Sequence, residues 1–123
     1  MSESKKNEKM KPMIIKDPES GHEYTLEFTR RSVKKCEAAG LDINLAASKS
    51  MTMIPLLFWG AFQAHHPNIK QEATDKILFD GLGGLNDREL EYLATLYTEP
   101  FNALIATDEE GEGANPRKMT VTF

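Results

Sequence analysis

Residues 51–66 read MTMIPLLFWGAFQAHH. The run holds the only Trp of a 123-residue chain that is otherwise 28% charged. A membrane span, a central core helix and a partner-gripping surface all compete to explain it. A bilayer span needs roughly 20 apolar residues, and Gln63, His65 and His66 end the run well short of that. Pro55 is tolerated only near a helix start, where amides have no intrahelical partner, and it pushes Ile54 toward extended backbone. The sequence therefore predicts a helix over 55–65 with Thr52 as N-cap, preceded by an exposed lip, Met51–Ile54. Leu56, Leu57, Phe58 and Trp59 point in four directions around that helix, which places it mid-domain. Pro67 is expected to stop it.

The segments before this run read as a hairpin and a basic helix. Met13–Ile15 and Tyr24, Leu26 and Phe28 have strand character around the turn residues Asp17-Pro18-Glu19-Ser20-Gly21. Thr29 is suited to cap a helix over 30–39, with Phe28 stapled to Val33 and Gly40 in the left-handed position that ends it. Leu41–Lys49 has room for a helical turn capped by Asp42. After the run, Asn68–Gln71 forms a capping-box pattern for a helix over 69–80 that buries Ile69, Ala73 and Ile77. Asn86–Glu89 forms another, with Leu85 and Leu90 as its staple. The stripe Leu90, Leu93, Ala94, Tyr97, Phe101, Leu104, Ile105 follows it. Pro100 lies inside that stripe and should kink or split the helix, with Thr98 capping the second piece.

The fold class expected is α+β, mostly α-helical: an N-terminal β-hairpin packed on a bundle of about four helices, with flexible termini. Residues 1–12 are read as disordered, 13–106 as a single domain, and 107–123 as a flexible acidic tail with a strand-like end, MTVTF. The net charge of −4 opposes nucleic-acid binding, which needs a basic footprint. One Cys and a polar N-terminus without the apolar stretch of a secretory leader point to a reducing cytoplasm.

Little catalytic or metal chemistry is legible. Adjacent His65 and His66 project about 100° apart on a helix, a poor pair for one metal ion. They suit a helix C-terminus instead. Cys36 lies near Lys34 and Lys35 but has no base positioned for it. Gly81, Gly83 and Gly84 lack phosphate-loop spacing, and Asp108, Glu109, Glu110 and Glu112 lack EF-hand spacing. The expectations are no enzyme, no catalytic residue, no metal and no cofactor. Binding remains. Met51, Met53, Leu56 and Trp59 combine adaptable sulfur side chains with an aromatic. Met119, Val121 and Phe123 of the terminal MTVTF could add as a strand to a partner's sheet edge or to the chain's own hairpin.

The stretches EYTLEFTRRSVKKCEAAGLDI, MTMIPLLFWGAFQAHHPNI and LNDRELEYLATLYTEPFNAL, over about residues 14–105, resemble tail assembly chaperones of long-tailed phages and prophages of Gram-positive bacteria. Their order is hairpin, basic helix ended by Gly, apolar Met/Pro/Phe helix and final amphipathic helix. The resemblance implies a non-enzymatic, cytoplasmic assembly factor for tail morphogenesis. It would bind the tail tube protein and the tape measure protein, leave before the virion is complete, and need neither membrane nor nucleic acid. The family often makes a longer form by frameshifting, and a strand-forming tail leaves room for self-association. A structural virion protein, such as a head–tail connector or tail-completion protein, is the alternative. A DNA-binding regulator has only Arg30, Arg31, Lys34 and Lys35 in its favour.

Overall fold

The computed structural model describes residues 10–104 and 118–123. The fold is mixed α+β and mostly helical, as the sequence predicts. Strands β1 (Met13–Lys16) and β2 (Glu23–Leu26) pair antiparallel in the register Met13↔Leu26, Ile14↔Thr25, Ile15↔Tyr24, Lys16↔Glu23. The turn forms around Asp17, whose amide donates to the His22 carbonyl at 2.8 Å, and Gly21 takes φ 81°. Met13, Ile15, Tyr24 and Leu26 face inward, with Phe28 just beyond.

Helix α1 (Arg30–Ala38) starts at Thr29 in a capping box. The box closes with Ser32 in the position usually held by Glu or Gln: the Thr29 amide donates to Ser32 Oγ at 2.8 Å, and the Ser32 amide to Thr29 Oγ1 at 3.1 Å. Gly40, at φ 103°, ends the helix as expected. A 3-10 turn, Ile43–Leu45, follows, capped by Asp42.

Helix α2 (Ser50–Phe62) is the centre of the core. Its start differs from expectation. Lys49, not Thr52, is the N-cap, and it makes no side-chain cap bond. Its carbonyl accepts the amides of Thr52 and Met53 at 3.1 and 2.9 Å. Pro55 therefore sits inside the helix. Its missing amide takes the i+4 helical donor from the Met51 carbonyl only, and Met51 is 80% exposed. The end differs too: the helix stops at Phe62, before Pro67, and the amides of His65 and His66 turn back to the Phe62 carbonyl.

Helix α3 (Gln71–Lys76) is short and widens into a π-helical turn, Ile77–Gly81. The expected capping box at Asn68–Gln71 is absent. Lys70 is the N-cap with no side-chain bond, and the Ile69 carbonyl before it accepts Trp59 Nε1–H at 3.3 Å. Ile69 and Ile77 of the predicted face pack against the core, but Ala73 is exposed and Thr74 and Leu78 are the fully buried positions. Thr74 tolerates burial because its hydroxyl donates to the Gln71 carbonyl.

Helix α4 (Asp87–Thr98) opens with the expected Asn86/Glu89 box, the two bonds measuring 2.8 and 3.0 Å. At Pro100 it tightens into a 3-10 turn, Glu99–Ala103. The split is as predicted and Thr98 is the N-cap of the second piece, but its side chain makes no cap bond. Its hydroxyl donates backward to the Thr95 carbonyl. Ile105 lies outside the described residues. The body also begins before residue 13: the Met10 amide donates to Glu99 at 2.8 Å and Tyr92 Oη–H to the Lys11 carbonyl at 2.7 Å, so 10–12 lie along α4.

Candidate partner-binding surface

Helix α2 is apolar nearly all round because other elements cover most of it. The hairpin is fastened to its C-terminal end by backbone and by both histidines. The Glu27 amide donates to the Ala61 carbonyl at 3.0 Å, and the Thr25 amide to His66 Nε2 at 3.1 Å. His65 Nε2 meets Glu27 Oε2 at 2.7 Å. His66 accepts a backbone proton, so its imidazole is neutral here. Burial, then the neighbouring His65, hold its pKa below the ordinary 6.5. The pair serves the hairpin, and no cluster of three metal-ligating side chains occurs among the described residues.

Helix α1 crosses α2 at Gly60. A Cβ placed on Gly60 would collide with Cys36 Sγ, so only glycine lets the two helices approach this closely. Cys36 is fully buried, and burial raises its thiol to about 11. That removes it as a nucleophile at neutral pH. Tyr97 is likewise raised by burial to about 12. Beside the crossing, Lys35 Nζ donates to Gln63 Oε1 at 2.6 Å and lies 5.8 Å from the Trp59 ring centroid. Every polar side chain named here is occupied in holding the fold.

The residues singled out for binding separate into two groups. Met53 and Leu56 are buried, which removes them from any free surface; Met53 Sδ packs against the Asp42 amide at 3.5 Å. The lip reading fails for Met53 because the helix starts at Ser50, turning that residue inward. Trp59 is half-buried, with its indole N–H committed to Ile69. Met51 at 80%, Met119 at 83%, Val121 at 66% and Phe123 are exposed. The structure does not bring Met51 and the terminal residues together into one described pocket.

A feature absent from the sequence reading lies on the opposite edge of α1. Arg30, Val33, Lys34, Pro100, Phe101 and Leu104 line a groove of about 190 Å³ between α1 and the 3-10 turn after α4. Its floor is apolar and its rim carries Arg30, Lys34 and Glu37. Glu37 and Phe101 also border a neighbouring cavity of about 620 Å³ that runs along Leu41, Asp42 and Tyr97. Pro100 creates this groove. By tightening the last turn it moves Leu104 off the core stripe, leaving it 70% exposed. The signal was present in the sequence as a proline within an apolar stripe, but its geometric consequence was not.

The chain belongs to the DUF5055 family, a domain of unknown function, whose model matches residues 1–123. No curated protein and no solved structure matches it. No helix among the described residues is long and apolar enough to cross a membrane.

Proposed function

We propose that this DUF5055 protein is a non-enzymatic chaperone of phage tail assembly that holds an amphipathic helix of its partner in the groove beside α1. The observation that carries the reading is that groove: apolar Val33, Phe101 and Leu104 at its floor, with Arg30, Lys34 and Glu37 along the α1 wall. A helix laid there gives up its apolar stripe to the floor and pairs its flanking charges with the rim. Tape measure proteins are long and helical, and their stripes need cover until a tail forms around them. Tail tube subunits expose strand edges that need the same protection. The resemblance of residues 14–105 to tail assembly chaperones supports this choice of partner, and the structural use of His65, His66 and Cys36 supports a non-enzymatic reading. The same reading sets the chain to work in the host cytoplasm.

Co-expression with the neighbouring tube and tape measure proteins, followed by affinity capture, tests the proposal. Capture of either is expected, and Leu104→Asp should abolish it with the fold intact. Failure to capture both refutes it. Mass spectrometry of purified virions separates the chaperone, which leaves, from a connector or tail-completion protein, which stays.

A further inference from the structure

The hairpin has one closed edge and one open edge. The Asp17 amide bonds the His22 carbonyl, so pairing parity makes Met13↔Leu26 and Ile15↔Tyr24 the hydrogen-bonded pairs of the ladder. Ile14 and Lys16 on β1, and Thr25 and Glu27 on the other side, therefore turn their backbone groups outward. On β2 those groups are met by helix α2: Thr25 donates to His66 and Glu27 to Ala61. On β1 no partner occurs among the described residues for the amides of Ile14 and Lys16. The Ile14 side chain is 47% exposed, in a four-residue strand with no proline or bulge to discourage pairing.

At the turn end of the hairpin lies a cavity of about 460 Å³, lined by Ile15, Lys16 and Tyr24 together with the hairpin turn, and by Ile77, Asp80 and Leu82 of the π-helical segment. Inward side chains of a third strand next to β1 would enter this space. The chain carries a segment with the alternation of such a strand, which is unpaired in the isolated chain. In Met119-Thr120-Val121-Thr122-Phe123 the apolar residues alternate with threonines, and all three apolar side chains are exposed.

We infer that the 119–123 segment of one molecule adds as a third strand to the β1 edge of a second copy, with Met119, Val121 and Phe123 on the cavity side and the threonines outward. Two reciprocal exchanges close a two-fold dimer. Residues 105–117 link the strand to the body, and a chain of that length extends to about 40 Å, enough to reach a neighbouring molecule. In the isolated chain the strand lies free of its own β1 edge, which is why the second copy is the occupant chosen. The interface is small, well below the roughly 1,200 Å² of stable complexes, so the dimer is a weak one. It does not depend on the groove or on the tail-protein partners.

Light scattering and analytical ultracentrifugation of the full chain, from low micromolar to near-millimolar concentration, test this. The mass should double across that range. Val121→Asp, on an exposed residue, should keep the chain monomeric. Ile14→Pro should do the same, because proline removes only an outward-facing amide and leaves the ladder to β2 intact. Mixing the two variants restores one of the two exchanges, so a heterodimer should form where neither variant dimerises alone, at a higher concentration than the wild type needs. In the wild type, the Ile14 and Lys16 amides should gain exchange protection as concentration rises, a readout that stands even if Ile14→Pro misfolds. A chain that stays monomeric throughout overturns the inference, and protected tail amides in that monomer would assign the strand to its own edge. A Val121→Asp chain that dimerises like the wild type overturns it equally.

Discussion

Replacing Gly60 with alanine tests whether α1 and α2 meet as closely as their geometry requires. In an exposed helix the change would stabilise by about 1 kcal/mol, since alanine forms helix better than glycine. Here the new methyl collides with Cys36 Sγ, both groups being buried, and it also touches Phe28 at 3.4 Å. Overpacking of that kind costs about 1–3 kcal/mol, and this collision belongs at the upper end because neither backbone has solvent to yield into. The expected net change is a loss of about 2 kcal/mol after the propensity gain is subtracted.

The same geometry gives an internal control. Cys36→Ala removes the sulfur and leaves Cys36 Cβ 3.7 Å from the new methyl, an ordinary contact. In that background only the propensity gain remains, so Gly60→Ala should stabilise by about 1 kcal/mol, giving a coupling of about 3 kcal/mol between positions in direct contact. Urea unfolding of the wild type, both single variants and the double variant measures it through the midpoint at constant slope. If Gly60→Ala costs the same with and without the sulfur, the close crossing of α1 and α2 is wrong.

Other expectations follow from single contacts. Met51→Ser should leave the urea midpoint unchanged, whereas Met53→Ser, one turn face away and buried, should lose about 2–5 kcal/mol. His66 has a folded pKa below 6.5, so the unfolded chain binds the extra proton first; stability should be full above 6.5 and fall as pH drops through the lower folded value. His66→Gln should flatten that part of the pH profile of the urea midpoint, and an unchanged slope would contradict a neutral His66 in the fold. Asn86→Ala removes one half of the α4 capping box and should cost about 1 kcal/mol by the same unfolding measurement.

The parts legible in the sequence were those set by local chemistry. The hairpin follows from alternation and turn residues, and α1 and α4 from caps whose partners are three residues away. Three misreadings share a different cause. Thr52 was expected to cap α2 on the strength of Pro55, but an early proline forfeits one bond only, and the carbonyl that loses it belongs to solvent-exposed Met51. Asn68 was expected to cap α3, but Trp59 claims the Ile69 carbonyl from another helix. His65 and His66 were expected at a helix end for its dipole, yet they reach across to the hairpin. In each case a partner distant in sequence, or solvent, outweighed a local rule, and no periodicity records such a partner. The candidate surfaces were less legible still. Leu104 looked like core because the stripe runs through Pro100 without a gap, and only the tighter turn carries it outward.

The π-helical turn explains why apolar surface collects beside the hairpin. With Thr74 and Leu78 buried four residues apart, an uninterrupted α-helix would return Leu82 to the same inward face. Instead the Leu82 amide bonds the Ile77 carbonyl, five residues back, at 2.8 Å, which inserts a residue into the turn. Leu82 is thereby rotated to 39% exposure at the rim of the cavity next to β1, and Phe79 is left 49% exposed. Gly83 and Gly84, both at positive φ, then reverse the chain immediately, so no further helical turn covers the opening. Apolar side chains scattered singly over a surface need no explanation. Leu82 differs, because a specific backbone irregularity turns it from a core position toward the cavity that Ile15 and Lys16 of β1 also line. Removing the inserted residue should let Leu82 return to the core and fill the cavity. A third strand would then have nowhere to put its side chains, and self-association should weaken without any change to β1 or the tail.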